Sequence, residues 1–364
     1  MAENQEQATG PIATEELIGH VGAERAFLET AAAGRMPHAW LISGPLGIGK
    51  MTLACRMARF RLTQQNGDDL FGPSETLHMD GGNPIFHRVM ARGHGDLRII
   101  EREVNHRTKK RRSDIIVDQI RDLSHFFTMT SAEGGWRVAI IDGADEMNPN
   151  AANALLKLLE EPPARSLLLL VCHAPGRLLP TIRSRCRHLI LRPLNEADAM
   201  DVMTQQVPDL DQKDRLGLVR LAEGSPGRAL AMAKEGGLEA YGELLAMVEN
   251  LPDVNFAEGH ALGDRLNRAN NEEAYRVWVD LLRLWLSRLV RGSAAPGSWT
   301  EATSGEGDLA RRLTINVSLD HWVGLWEKIG SLAVRAERVN LDRKQVVINA
   351  FMALQSTARQ QSQG

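Results

Sequence analysis

Nine residues, Gly44-Pro45-Leu46-Gly47-Ile48-Gly49-Lys50-Met51-Thr52, leave few folds open to this chain. They follow a short apolar run, His38-Ala39-Trp40-Leu41-Ile42-Ser43. They precede a stretch from Lys50 to Leu62 with Leu53, Met57 and Ala58 on one helical face. A buried strand, a GxxxxGK loop and a helix, in that order, is the context for cradling phosphate. Glycines let backbone N–H groups turn toward an anion, and the helix N-terminus adds partial positive charge. Gly44, Gly47, Gly49 and Lys50 are the candidate phosphate contacts, with Lys50 reaching for the outer phosphates.

The alternation continues along the chain. Apolar runs at Trp136 to Ile141, Leu167 to Cys172 and His188 to Leu191 read as strands, and helical patterns lie between them. Strands alternating with helices predict an α/β fold, a parallel sheet covered on both faces. Residues 64–113 interrupt the pattern. They are rich in Gly, Asp, Asn, Pro and Arg, and read as an irregular insertion with one strand near its end. Residues 1–13 are polar and expected to be disordered, and residues 14–193 form the nucleotide-binding-like domain. After Pro193 the strands stop. Residues 194–240 read as short helices. Residues 241–364 read as an all-α domain whose Trp278, Trp285, Trp322 and Trp326 recur at helical spacings.

Two departures weaken the loop as an engine. Magnesium wants hard oxygen ligands, and the residue after the lysine is Met51, which offers a thioether. Thr52 carries a hydroxyl but sits about 100° further round the helix. In hydrolysing relatives of this loop, an acid at a strand end helps hold the metal and a second acid beside it orients the attacking water. Here the strand Trp136 to Ile141 ends in Asp142, but the next position is Gly143. Asp145 and Glu146 either substitute for it or are solvated turn residues. The site is expected to hold a nucleotide at most statically.

Composition narrows the alternatives. The 364 residues, net charge −3 and 43% hydrophobic content describe a globular chain of more than one domain, without whole-protein attraction to nucleic acid. Cys55, Cys172 and Cys186 form no CxxC pair, which argues against a zinc ribbon or a disulfide framework and for a reducing compartment. No apolar run approaches a membrane span, and the polar N-terminus shows no signal peptide, so a cytoplasmic protein is expected.

Residues 148–163, NPNAANALLKLLEEPP, carry the most specific signal. Asn148 is a good N-cap, Pro149 suits the first helical turn, and Pro162 and Pro163 end the helix. Glu160 and Glu161 lie at the end where the dipole disfavours negative charge, a mismatch that Lys157 offsets in part. With HAWLISGPLGIGK before it and LLPTIRSRCR after it, this segment resembles bacterial clamp-loader subunits of the AAA+ class, most of all the delta-prime kind of DNA polymerase III. The resemblance implies an AAA+ P-loop domain, a helical lid and an all-α C-terminal collar. It implies a largely noncatalytic subunit of a hetero-pentameric ring with ATPase subunits and a delta subunit, acting through the assembly on a sliding clamp and primer-template DNA. It implies that Arg185, in Arg183-Ser184-Arg185-Cys186, serves as an arginine finger in a neighbour's nucleotide site, and that Arg228, in Gly224-Ser225-Pro226-Gly227-Arg228, approaches phosphate from the lid. No cofactor is required, and static ATP or ADP binding stays open. The zinc module of many such relatives is not expected, because only Cys55 lies near its place and His78, His87 and His94 read as loop residues. The basic run Arg107 to Arg112 reads as a solvated loop or a DNA contact, without aromatics for base stacking.

Overall fold

A computed structural model describes residues 10–64, 75–104, 111–268, 271–295, 300–339 and 341–360. The chain divides into two compact units. The first comprises residues 1–206 with 224–228, and the second comprises 207–223 with 229–364. The segment read as a lid, 194–240, is thus shared between them.

In the first unit, strands β1 (Ala39–Ser43), β2 (Leu97–Ile100), β3 (Arg137–Asp142), β4 (Ser166–Cys172) and β5 (Arg187–Ile190) form one parallel sheet in the order β2-β3-β4-β1-β5. Every residue of β1 and β4 is buried, as strands covered on both faces require. Their side chains alternate between two cores. Trp40, Ile42, Val138, Ile140, Leu167 and Leu169 face Phe27 of α1 (Val21–Ala32) and Leu53 and Met57 of α2 (Lys50–Thr63). Leu41, Ala139, Ile141, Leu168 and Leu170 face Ile120 and Leu123 of one helix, α4 (Val117–Thr128), and Leu155 and Leu159 of another, α5 (Pro149–Glu160). The period-two exchange of faces is what makes these runs strands rather than short helices.

Two expectations need correction. The insertion at 64–113 contains β2, as read, but also a helix, α3 (Pro84–Met90). Asn83 caps it by accepting from the Ile85 N–H, and Pro84 fills its first turn. Residues 10–13, expected to be disordered, form a turn with Ile12 buried. The cause is Arg59, a buried guanidinium on α2, which donates to the carbonyls of Ile12 at 3.1 Å and Thr14 at 2.8 Å.

The second unit is helical among its described residues: α8 (Gln212–Ala222), the greater part of α9 (Pro226–Lys234), α10 (Gly237–Val248), α11 (Phe256–Leu266), α12 (Glu272–Ala294), α13 (Glu306–Ile315), α14 (Leu319–Val339) and α15 (Arg343–Ala358). Helix α7 (Glu196–Gln206) belongs to the first unit, as does the short α6 (Pro180–Arg183) before β5. Trp278, Trp285 and Trp322 are core residues. Trp285 and Trp322 meet edge to face with centroids 6.4 Å apart. Glu306 is fully buried here and is held by Arg288 at 2.7 and 2.9 Å, by the Tyr241 hydroxyl at 2.6 Å and by the Ala302 N–H at 2.8 Å.

Candidate functional site: the glycine loop and an exposed arginine

The carboxyl ends of β1, β3 and β4 meet at one edge of the sheet, beside the point where the chain leaves β1 for the far edge strand β2. Open α/β sheets bind ligands in this crevice. The glycine loop closes β1, and two of its glycines are required by space as well as by φ. At Gly44 (φ 149°) an added Cβ would lie 2.4 Å from the Leu191 carbonyl oxygen. At Gly47 (φ 79°) it would lie 2.8 Å from the Arg228 nitrogen. The second contact arises because residues 224–228 pack onto the loop. Gly227 N–H donates to the Gly47 carbonyl at 2.8 Å, and the Ser225 hydroxyl donates to the Leu46 carbonyl. Arg228 is thereby brought to the loop through its backbone.

Gly49 is the left-handed residue before α2, and Lys50 opens the helix. Lys50 is 3% exposed. Its Nζ donates to the Gly44 carbonyl at 2.7 Å and to the Pro45 carbonyl. Burial pulls its ammonium down to about 8, against the opposing pull of the Asp142 carboxylate. Burial in turn pushes the Asp142 carboxyl above its ordinary value, with His173 the main influence the other way. Thr52 is buried in α2, and Met51 packs at the margin of the core under it.

Of the acids after β3, Asp145 is placed differently from either sequence reading. Asp145 is no solvated turn residue: it accepts from the backbone N–H of His173 at 2.8 Å and of Ala174 at 3.0 Å, so it ties off the end of β4. Burial alone would raise its carboxyl, but hydrogen bonds from the His173 N–H, from its own N–H and from the Cys172 side chain outweigh that and hold it below the usual range. Glu146 pairs with Arg102 Nε at 2.7 Å. Its carboxylate lies over Gly143 (φ 80°), where an added Cβ would come within 2.6 Å of Oε2. Burial raises the Glu146 carboxyl, and Arg102 opposes the shift.

Two residues at this edge carried no sequence signal strong enough to assign them. His20, in a left-handed conformation just before α1, donates from Nε2 to the Ile48 carbonyl at 2.7 Å and so braces the loop. His173 lies among Lys50, Asp142 and Asp145, and burial first, then Lys50, holds its imidazole below its ordinary pKa. The packing that selects both residues is long-range.

Arg185 lies apart from this pocket, between α6 and β5. Its side chain is 36% exposed. One guanidinium nitrogen donates to Glu160 Oε1 at 2.8 Å and the other to the Thr181 carbonyl at 3.1 Å. Glu160 thus has Arg185 as its cation, where the sequence suggested Lys157.

Of the basic run, 107–110 lies outside the described residues. Arg111 pairs with Glu101 at 3.1 Å and Arg112 with Glu103 at 3.7 Å. His87 sits on a helix, α3, whereas His78 and His94 lie in loops as expected, His94 buried beside Glu133. Among the described residues no three His, Cys, Asp or Glu side chains gather as a metal site, and no helix is long and apolar enough to cross a membrane.

A parallel sheet with a glycine loop between β1 and a helix and an acid ending β3 is a P-loop form of the α/β fold, followed by a C-terminal unit that is helical among its described residues. Residues 20–195 match the family model described as "DNA polymerase III, delta subunit". The DNA polymerase III subunit delta′ of Pseudomonas aeruginosa is 35% identical over 214 residues, 59% of this chain and 61% of that protein. That of Escherichia coli is 34% identical over 201 residues, 55% of each. The chain therefore spans less than two thirds of the length of these relatives. A DNA polymerase III gamma subunit-related protein from Thermotoga maritima overlays 92% of this chain and 100% of that one, at TM-score 0.44 and 17% identity.

Proposed function

We propose that this chain is a delta-prime-type clamp-loader subunit of DNA polymerase III that completes a neighbour's ATP site and does not run its own. In this reading it joins ATPase subunits and a delta subunit in a hetero-pentameric ring in the cytoplasm. The ring places a sliding clamp on primer-template DNA. The observation that carries the asymmetry is the contrast between two positive charges. Lys50 is buried against its own loop carbonyls, while Arg185 stands on the surface with a single exposed acid for a partner. A guanidinium beside a transferring phosphate stabilises charge that grows in the transition state.

The reading of an active motor needs Thr52 to ligand magnesium and Asp145 to activate water. Thr52 is buried in α2, and both Asp145 oxygens are taken by backbone N–H groups. Glu146 remains near the vacant position at Gly143 but is paired with Arg102. No cofactor is required in this account, and a static nucleotide on Gly44, Gly47, Gly49, Lys50, Asp142 and Arg228 is compatible with it.

The test is a reconstituted loader. Arg185→Ala should lower clamp- and DNA-stimulated ATP turnover by about 10³ to 10⁵ at the site it serves, and Lys50→Ala should leave turnover near wild type. The opposite pattern, Lys50→Ala crippling and Arg185→Ala silent, sinks the proposal.

A further inference from the structure

We propose that Glu160 is a resting latch for Arg185, which holds the guanidinium on its own subunit until a neighbour's phosphate displaces it. The inference rests on the finger reading and adds a residue to it. Both ends of the latch are built by the fold. Glu160 is the last residue of α5, where partial negative charge from the unsatisfied carbonyls disfavours a carboxylate. It gains by having a cation within reach. Arg185 supplies one at 2.8 Å, and its second nitrogen rests on the Thr181 carbonyl at 3.1 Å, so both ends of the guanidinium fork are occupied in one defined position.

The latch is weak by construction. The side chains are 36% and 50% exposed, and pairs of that kind are screened and contribute little. A polyphosphate offers more negative charge than one carboxylate and can accept from the fork in parallel, so it competes well for the same donors. Arg183 and Arg187 flank Arg185 in sequence, and Glu160 is the acid that its side chain must leave.

The experiment titrates the full-length chain, wild type or Glu160→Gln, into its ATPase partner subunits with clamp and primer-template DNA. Glu160→Gln should lower the half-saturating concentration by about 1.4- to 5-fold, the range of an exposed pair, with maximal turnover unchanged. The gain should shrink as salt is raised. An unchanged or higher half-saturating concentration at low salt overturns the latch. Arg185→Ala run alongside tests the finger itself, so a silent Arg185→Ala condemns that reading separately. On the isolated chain, rotation of the Arg185 guanidinium followed by NMR should be faster in Glu160→Gln. Equal rates in the two proteins refute the latch whatever the assembly does.

Discussion

Lys50→Met is the substitution whose consequence can be worked furthest. The wild-type ammonium is pulled from 10.5 to about 8 by burial. At 1.36 kcal/mol per pKa unit, this difference corresponds to a destabilisation of roughly 3 kcal/mol. The sign follows from proton binding. The unfolded chain holds the proton more tightly than the folded one, so the penalty is complete below about pH 8, fades up to about 10.5 and is absent above. Methionine carries no such penalty and also lacks the bonds to Gly44 and Pro45, a loss nearly independent of pH. The wild-type stability measured against Lys50→Met should therefore rise with pH, by about 2 kcal/mol between about pH 7 and 9.5. Urea unfolding across that range measures it, and the ¹³C resonance of the lysine side chain reports the midpoint directly. A stability difference flat with pH, or a midpoint near the ordinary lysine value, would refute the account of a charge buried against its own loop.

Three further outcomes test other parts of the molecule. Asp145→Ala removes the acceptor for two backbone N–H groups at the end of β4 and should cost about 1–3 kcal/mol, read as a lowered thermal midpoint. Gly143→Glu puts back an acid after Asp142 but at φ 80°, with its Cβ against the Glu146 carboxylate. It should destabilise the chain by at least about 1–2 kcal/mol and yield no ATP cleavage by the purified chain. Glu306→Gln leaves Arg288 buried without its anion and should cost about 3–5 kcal/mol in denaturant unfolding of the helical unit. Burial opposes ionisation of Glu306, but the bonds from Arg288 prevail and hold its pKa below 4.5. The wild-type advantage over Glu306→Gln should thus persist above about pH 4.5 and be lost as pH falls through the lower folded value.

The sheet could be read from the chain because its cause is local. Runs such as Val138-Ala139-Ile140-Ile141 are buried on both faces and bounded by turn residues, so pattern and burial agree. The glycine loop and the helix from Pro149 were legible for the same reason, through glycine conformations and the Asn148-Pro149 start. Helix α3 is hard to see in the sequence although Asn83-Pro84 announces it, since seven residues are too few to show a period against an irregular background. The role of Asp145 is not legible in the sequence because its partners, His173 and Ala174, stand almost thirty residues on and are brought near by the pairing of β3 with β4.

By itself, then, the order of residues determined which segments are strands, where phosphate would be cradled, and that Met51 and Gly143 stand where a hydroxyl and an acid would serve. Those properties belong to single residues and their neighbours. Only the tertiary structure decided which charges are occupied. Lys50 is turned onto its loop, Asp145 onto the end of β4 and Arg185 onto Glu160, because hydrogen-bond partners far apart in sequence are chosen by how the sheet and its helices bring them together.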